Sequence, residues 1–166
     1  MAYSVPDICD EFPGDIQVVE PEFSNYGLQW NFHGEITTLK CFEDNSLLRE
    51  LVAAPGRGGV IIVDGGGSLR CALLGDLLAA KAAENGWAGL VINGCVRDVE
   101  ILRSIDLGIR ALNCHPAKTE KRGEGQLNIP VRFAGVRFHP GQFVYADANG
   151  IVVATRNLNI DFRLDM

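Results

Sequence analysis

GDLLAAKAAENGWAGLVINGCVRD, residues 75–98, is the stretch whose reading decides the fold. It reads as a helix followed by a strand, with a chemistry-bearing pair at each end. Asp76 stands where an N-cap belongs, LLAAKAAEN is dense in the strong helix formers Ala and Leu, and Gly86 is placed to close the helix in a left-handed cap. Residues 89–93, GLVIN, then read as an apolar strand, and Gly94 opens a turn that carries Arg97 and Asp98 toward a second helix, VEILRSI. In a βαβ unit helix and strand run antiparallel, so Arg97-Asp98 returns to the sheet edge where Gly75-Asp76 begins. That is the geometry of a pocket, and the rest of the chain must supply its walls.

Upstream, VIIV at 60–63 is a continuous β-branched run, the pattern of a strand covered on both faces. It feeds into Asp64-Gly65-Gly66-Gly67-Ser68. A strand, glycines and a helix can cradle an anion on backbone N–H groups. GGGSLR has neither the Lys-Ser/Thr of a P-loop nor the GxGxxG spacing, however, and a tight turn with close packing explains the glycines as well. Before it, EITTLKCF (35–42) reads as a strand, and Asp44-Asn45-Ser46 supplies cap residues for the helix LLRELVAA, which Pro55-Gly56 stops. Residues 4–12 start a short helix with Pro6 and Asp7 in its first turn, and Ile16 to Val19 form a brief strand.

Downstream, residues 108–113 read as a further strand. HPAKTEKRGEGQ (115–126) is a polar, exposed loop whose cations Lys118, Lys121 and Arg122 form the chain's one basic cluster, a solvated group that needs no partner. From Leu127 the pattern is all β, with a hairpin signal at Asn149-Gly150. The fold class is therefore α/β over the first two-thirds and β-rich at the end, without internal repeats.

The 166 residues fit a single domain, 1–166, that buries roughly 70% of its unfolded surface. A net charge of −6 is a poor footprint for phosphate backbones, so no direct nucleic-acid partner is expected, and an acidic surface favours basic partners. The start, MAYSVPDICDEF, has no basic and then apolar leader, and no apolar run reaches the ~20 residues of a membrane span. A cytoplasmic protein without a membrane partner is expected. The cysteines (9, 41, 71, 95 and 114) are odd in number and form no CxxC, so neither a disulfide framework nor a zinc knuckle is indicated. Cys114-His115 is the one Cys/His neighbour pair, and adjacent residues seldom serve as nucleophile and base.

Arg97 offers a planar fork for carboxylates, and Asp98 the hard oxygen that Mg²⁺ prefers. Together they suit an anionic substrate bridged by a metal. The backbone N–H groups of Leu77 and Leu78, at a helix start, suit a second anionic oxygen. A capping role stands beside this chemistry, because Asp76 and Asp98 each precede a helix.

Gly75-Asp76, twenty residues, then Arg97-Asp98 resembles the GD-x20-RD signature of the class II pyruvate aldolases that cleave 4-hydroxy-4-methyl-2-oxoglutarate. FEDNSLLRE, VDGGGSLR, GLVINGCVRD and YADANGIVV extend the resemblance to the regulator of ribonuclease activity A (RraA-like) family over nearly the whole chain. The resemblance implies a swivelling β/β/α fold and a homotrimer or dimer of trimers with sites at subunit contacts. It further implies that Gly75, Asp76, Leu77 and Leu78 bind the carboxylate of a small 2-oxo acid and that Arg97 binds its oxygens. Asp98 would then bind Mg²⁺ or Mn²⁺, and Asp76 would order or deprotonate a metal-bound water. The larger aldolases carry a C-terminal extension whose acidic residue reaches a neighbouring site, whereas this chain ends in NLNIDFRLDM. Ribonuclease-regulating members can lack the acidic residue after the arginine; here Asp98 is kept, which favours chemistry.

Two readings follow. One is a metal-dependent lyase for which retro-aldol cleavage and oxaloacetate decarboxylation share an enolate of pyruvate. The other is a non-catalytic inhibitor whose acidic surface docks on a ribonuclease partner.

Overall fold

The computed structural model describes residues 1–164; Asp165 and Met166, the last two residues of NLNIDFRLDM, lie outside the described residues. Ser4 opens α1 (Val5–Glu11) through a capping box: its hydroxyl accepts from Asp7 N–H, while the Asp7 carboxylate accepts from Ser4 N–H. After β1 (Ile16–Val18) and β2 (Ser24–Asn25) comes β3 (Phe32–Lys40). This strand starts at Phe32, ahead of the expected Glu35, because Phe32 to Glu35 pair with a distant strand near the C-terminus. Helix α2 (Ser46–Ala53) and strand β4 (Val60–Asp64) follow as expected, and β4 is buried along its whole length.

The glycine loop after β4 leads into β5 (Ala72–Leu74), too short for periodicity to reveal, and then into α3 (Asp76–Glu84). Gly86, at φ +82°, closes α3 in the left-handed region as expected. Strand β6 (Gly89–Val96) runs through Gly94 rather than ending before it. It is followed by α4 (Val99–Leu102), shorter than the expected VEILRSI, and β7 (Gly108–Cys114). The remainder is β8 (Gln126–Leu127), β9 (Val131–Phe133), β10 (Val136–Phe138), β11 (Phe143–Asp147) and β12 (Gly150–Ala154). The hairpin lies where expected but one residue earlier: Asp147 faces Gly150, so Ala148 and Asn149 form the turn.

Among the described residues ten strands form one mixed sheet along the path β1-β12-β11-β3-β4-β6-β7-β2, with β5 added to β6 and β8 to β3; β9 and β10 form a separate hairpin. Strands β3, β4, β6 and β7 are mutually parallel, as strand–helix–strand crossovers require, and the flanking strands are antiparallel. The α/β expectation therefore stands.

Alternation along β4 divides the core. Ile61 and Val63 face Leu48 and Val52 of α2, Ala79 and Ala82 of α3, and Leu102 of α4. Val60 and Ile62 face the opposite side, where Phe133, Phe138, Val144 and Val153 pack. A third cluster buries Val5 and Ile8 of α1 with Tyr145, Leu158 and Phe162. No helix among the described residues is long and apolar enough to cross a membrane.

Candidate active site

Strand β5 passes through Gly75 into α3, and β6 passes through Arg97 and Asp98 into α4. The two strands are parallel, with Ala72 beside Cys95 and Leu74 beside Val96, so both turns leave the same sheet edge. Arg97 N–H donates to Leu74 O at 2.9 Å, extending the pairing one residue past the strand. Against β7, Ile92 faces Ala111 but Cys95 faces Asn113, so β6 carries an extra residue around Asn93-Gly94. Such a bulge re-aims the residues that follow it.

Asp98 has φ +58° and ψ +41°, a left-handed conformation that Asp tolerates better than most residues. It occupies the N-cap position of α4 but makes no side-chain cap there. Its Oδ2 instead accepts from Asp76 N–H at 3.0 Å and so caps α3, the other helix. Asp76 is not the N-cap that the sequence suggests; Gly75 is, and Asp76 is the first helical residue. Asp76 Oδ1 accepts from the Leu77 N–H at 2.8 Å rather than from Leu78, whose N–H meets no protein acceptor among the described residues. Gly75 has φ −130° and ψ −168°, extended backbone open to any residue. Space is what requires glycine there: a Cβ would lie 2.7 Å from Asp98 Oδ2 and 3.5 Å from Arg97 Cγ and Nε. Arg97 makes one long bond from Nη1, 3.4 Å to Pro116 O, which leaves most of its fork for a ligand.

All six residues singled out in the sequence, Gly75, Asp76, Leu77, Leu78, Arg97 and Asp98, line one cleft of about 450 Å³. Asn45, Arg49, Lys81, Lys118 and Lys121 also line it, and sequence reasoning missed them. Arg49 comes from α2 and Lys81 from α3, about one and a half turns beyond Asp76. The lysines Lys118 and Lys121 correct the reading of 115–126 as a solvated loop: the loop is largely exposed, but it returns to the sheet, with Ala72 N–H donating to Ala117 O at 2.8 Å. Five cationic side chains thus face two carboxylates in one cleft on a chain of net charge −6. Such a wall attracts small anions carrying more than one negative charge.

The glycine loop is a turn rather than part of this cleft. Gly66 and Gly67 are left-handed, and Asp64 Oδ1 accepts from Gly66 N–H and Asn93 Nδ2. Cys114 and His115 do not line the cleft either; His115 Nδ1 accepts from Ala117 N–H.

No three His, Cys, Asp or Glu side chains converge into a metal cage among the described residues. Mg²⁺ needs no such cage, since one or two carboxylates with water and substrate oxygens ordinarily hold it. Asp98 commits Oδ2 to Asp76 N–H, and a carboxylate has about four lone-pair positions, so Oδ1 is available to a cation. The donors fit a hard divalent ion completed by its ligand.

The family model described as Aldolase/RraA, RraA-like, matches residues 5–153. A relative from Pseudomonas fluorescens (strain Pf0-1), named "Putative 4-hydroxy-4-methyl-2-oxoglutarate aldolase", is 60% identical over 95% of this chain and 97% of its own length. A relative of the same name from Azotobacter vinelandii is 58% identical over 96% of this chain and 99% of its own. Among solved structures, a Geobacillus kaustophilus protein described as an S-adenosylmethionine: 2-dimethylmenaquinone methyltransferase superposes with a TM-score of 0.92 at 44% identity, covering 94% of this chain and 97% of that one. The RNA-processing inhibitor RraA of the Thermus structure superposes with a TM-score of 0.91 at 41% identity, covering 94% of both chains. On this footing the chain belongs to the Aldolase/RraA family.

Proposed function

We propose that this protein is a divalent-metal-dependent lyase that cleaves 4-hydroxy-4-methyl-2-oxoglutarate into two molecules of pyruvate and decarboxylates oxaloacetate as a side activity. The observation that carries the reading is the convergence of two helix starts, two carboxylates and five cations in one cleft sized for a small dianion. The name shared by relatives about 60% identical over nearly full length supports it.

The N-terminus of α3, with its spare Leu78 N–H, receives the carboxylate next to the keto group, aided by the helix dipole. Arg97 donates to the keto oxygen, on which negative charge develops as the C3–C4 bond breaks and the enolate forms. Held on Asp98 when bound, Mg²⁺ or Mn²⁺ supplies Lewis-acid stabilisation of that same charge. Asp76, with Oδ2 outside its bond to Leu77, orders a water that takes the C4 hydroxyl proton; a proton returned to C3 completes the second pyruvate. Arg49, Lys81, Lys118 and Lys121 face the far carboxylate. In oxaloacetate the same C3–C4 bond breaks, C4 leaves as CO₂, and the same enolate results.

The assembly that accompanies this reading is a homotrimer or dimer of trimers. Leu77, 81% exposed at the cleft, is an apolar side chain such an assembly would cover. The similarity to an RNA-processing inhibitor makes docking on a ribonuclease the alternative, and the charged cleft is what favours the lyase over it.

Pyruvate release from both substrates, measured with Mg²⁺ and after chelation, tests the proposal. Activity should vanish on chelation and in Asp98→Ala, and Arg97→Ala should slow turnover on the order of 10²–10³-fold. Wild-type protein that releases no pyruvate from either compound with Mg²⁺ or Mn²⁺ sinks it.

A further inference from the structure

We propose that Asp44, Asn45 and Ser46 form a clamp that fixes the loop bearing Lys118 and Lys121, making Asp44 a positioning residue for recognition of a ligand's second carboxylate. The proposal rests on the reading of the cleft as an oxo-acid site. In sequence the three residues look like a helix cap, and Asn45 does occupy the N-cap position of α2, yet it makes no side-chain cap there. All three side chains reach the 119–124 segment instead.

Asp44 Oδ2 accepts from Arg122 N–H at 2.8 Å and Glu124 N–H at 3.1 Å. Its Oδ1 accepts from the N–H and hydroxyl of Ser46 at 2.9 and 2.6 Å. Ser46 Oγ in turn accepts from Gly123 N–H at 3.1 Å. Asn45 Oδ1 accepts from the Thr119 hydroxyl at 2.8 Å, while its Nδ2 donates to Leu73 O at 2.9 Å, tying the loop to β5.

These groups are sealed from water: Asp44 is 1% exposed, Thr119 5% and Asn45 8%. A buried carboxylate is costly unless its oxygens are satisfied. Here no lysine or arginine forms an ion pair with Asp44 among the described residues, and N–H and O–H donors fill both oxygens. Burial alone would raise the Asp44 pKa, but the bonds from Ser46, Glu124 and Arg122 outweigh it and hold the carboxyl well below the usual range.

Residues 120–125 make no backbone–backbone hydrogen bond among the described residues, so the clamp is what orders them. Lys121 immediately precedes Arg122, whose N–H the clamp holds, and Lys118 immediately precedes Thr119. Both lysines line the cleft beside Asn45. Releasing the clamp therefore withdraws Lys121 and loosens Lys118 on its Thr119 side, two of the four cations that meet the far carboxylate, while leaving the α3 start and Arg97 in place.

The test measures binding of pyruvate, with one carboxylate, and of 2-oxoglutarate, with two and no hydroxyl to cleave, to the full-length protein with Mg²⁺ by calorimetry. Asp44→Ala should weaken 2-oxoglutarate about 10-fold and pyruvate less than about 2-fold, and the same change in a Lys118→Ala/Lys121→Ala background should add almost nothing. Amide hydrogen exchange at residues 122–124 should accelerate at least about 10-fold in Asp44→Ala. If Asp44→Ala does not fold, Ser46→Ala, which frees Gly123 N–H, should show the same selectivity change at smaller amplitude. Equal weakening of both ligands, persistence of the full loss in the double-lysine background, or unchanged exchange at 122–124 overturns the clamp. Wild-type protein that binds neither oxo acid overturns the site reading itself, a result distinct from wild type that binds both while Asp44→Ala leaves the ratio unchanged.

Discussion

Replacing Gly75 with alanine isolates the contact on which the site's geometry depends. Its extended backbone accommodates alanine without strain, so the added methyl acts through its neighbours. That methyl would stand 2.7 Å from Asp98 Oδ2, against an ordinary carbon–oxygen separation of about 3.3 Å, so the carboxylate must retreat by roughly half an ångström or rotate. Either movement weakens the 3.0 Å bond to Asp76 N–H. That bond is half-exposed, so its loss should cost at most about 1.5 kcal/mol of stability. The catalytic loss should reach further: a full 1 Å misplacement at a site of positioned charges costs on the order of 10²-fold in rate, so the smaller shift here should cost roughly 10- to 10²-fold, about 1.4–2.7 kcal/mol of activation free energy. Urea unfolding and pyruvate release under Mg²⁺ titration separate the two effects. Gly75→Ala should unfold nearly as wild type does, turn over roughly 10- to 10²-fold more slowly and need more Mg²⁺ for half-activation. In an Asp98→Ala background, which removes the clashing oxygen together with turnover, the added methyl should change urea unfolding little. Wild-type kcat/KM in a folded Gly75→Ala protein would refute the reasoning, since the methyl cannot enter without moving Asp98 or the helix start.

Two further outcomes follow from burial. His33 packs on the Tyr145 ring, parallel at 5.6 Å, and on the Phe162 ring at 5.3 Å, and burial holds its imidazole below the ordinary value. The unfolded chain therefore takes up the proton first as pH falls through about 6.5, so the contribution of neutral His33 to stability is present above that pH and is lost as pH falls toward the folded value. Thermal unfolding between pH 7.5 and 5 should decline less steeply in His33→Gln than in wild type, and parallel declines would refute the assignment. Burial also pushes the Cys41 thiol up to about 12, whereas Cys114 is exposed. Peptide mapping after brief alkylation of the native protein near pH 8 should find Cys114 modified and Cys41 protected until denaturant is added; comparable labelling of both contradicts this placement.

Signals within about twenty residues carried most of what could be read from the chain. The Ala-rich run, the left-handed closure at Gly86 and the β-branched strands are each local, and together they place residues 75 and 98 at one sheet edge. What the sequence could not show was an exchange of partners. Asp76 and Asp98 each precede a helix, and a one-dimensional reading assigns each as the cap of its own; in the structure Asp98 caps the helix that Asp76 begins, 22 residues away. That exchange depends on the left-handed backbone of Asp98 and on the space Gly75 leaves, neither of which has a sequence period. The β5 strand is likewise three residues long, below the length at which alternation can be recognised.

The missed cationic wall has a deeper cause. Whole-chain charge is a sum, and a sum of −6 weighs against phosphate backbones while concealing a cleft of the opposite sign. At physiological ionic strength the screening length is about 8 Å, so distant acidic surface contributes little to the potential inside a cleft where the cations are close to the ligand. Local arrangement, rather than net charge, therefore sets what binds. That arrangement depends on a polar loop whose residues look solvated until Asp44, 78 positions before Arg122, is seen to hold it. A carboxylate in a cap-like triplet and lysines in a polar loop are each unremarkable alone; recognition of a dianion arises from the fold that joins them.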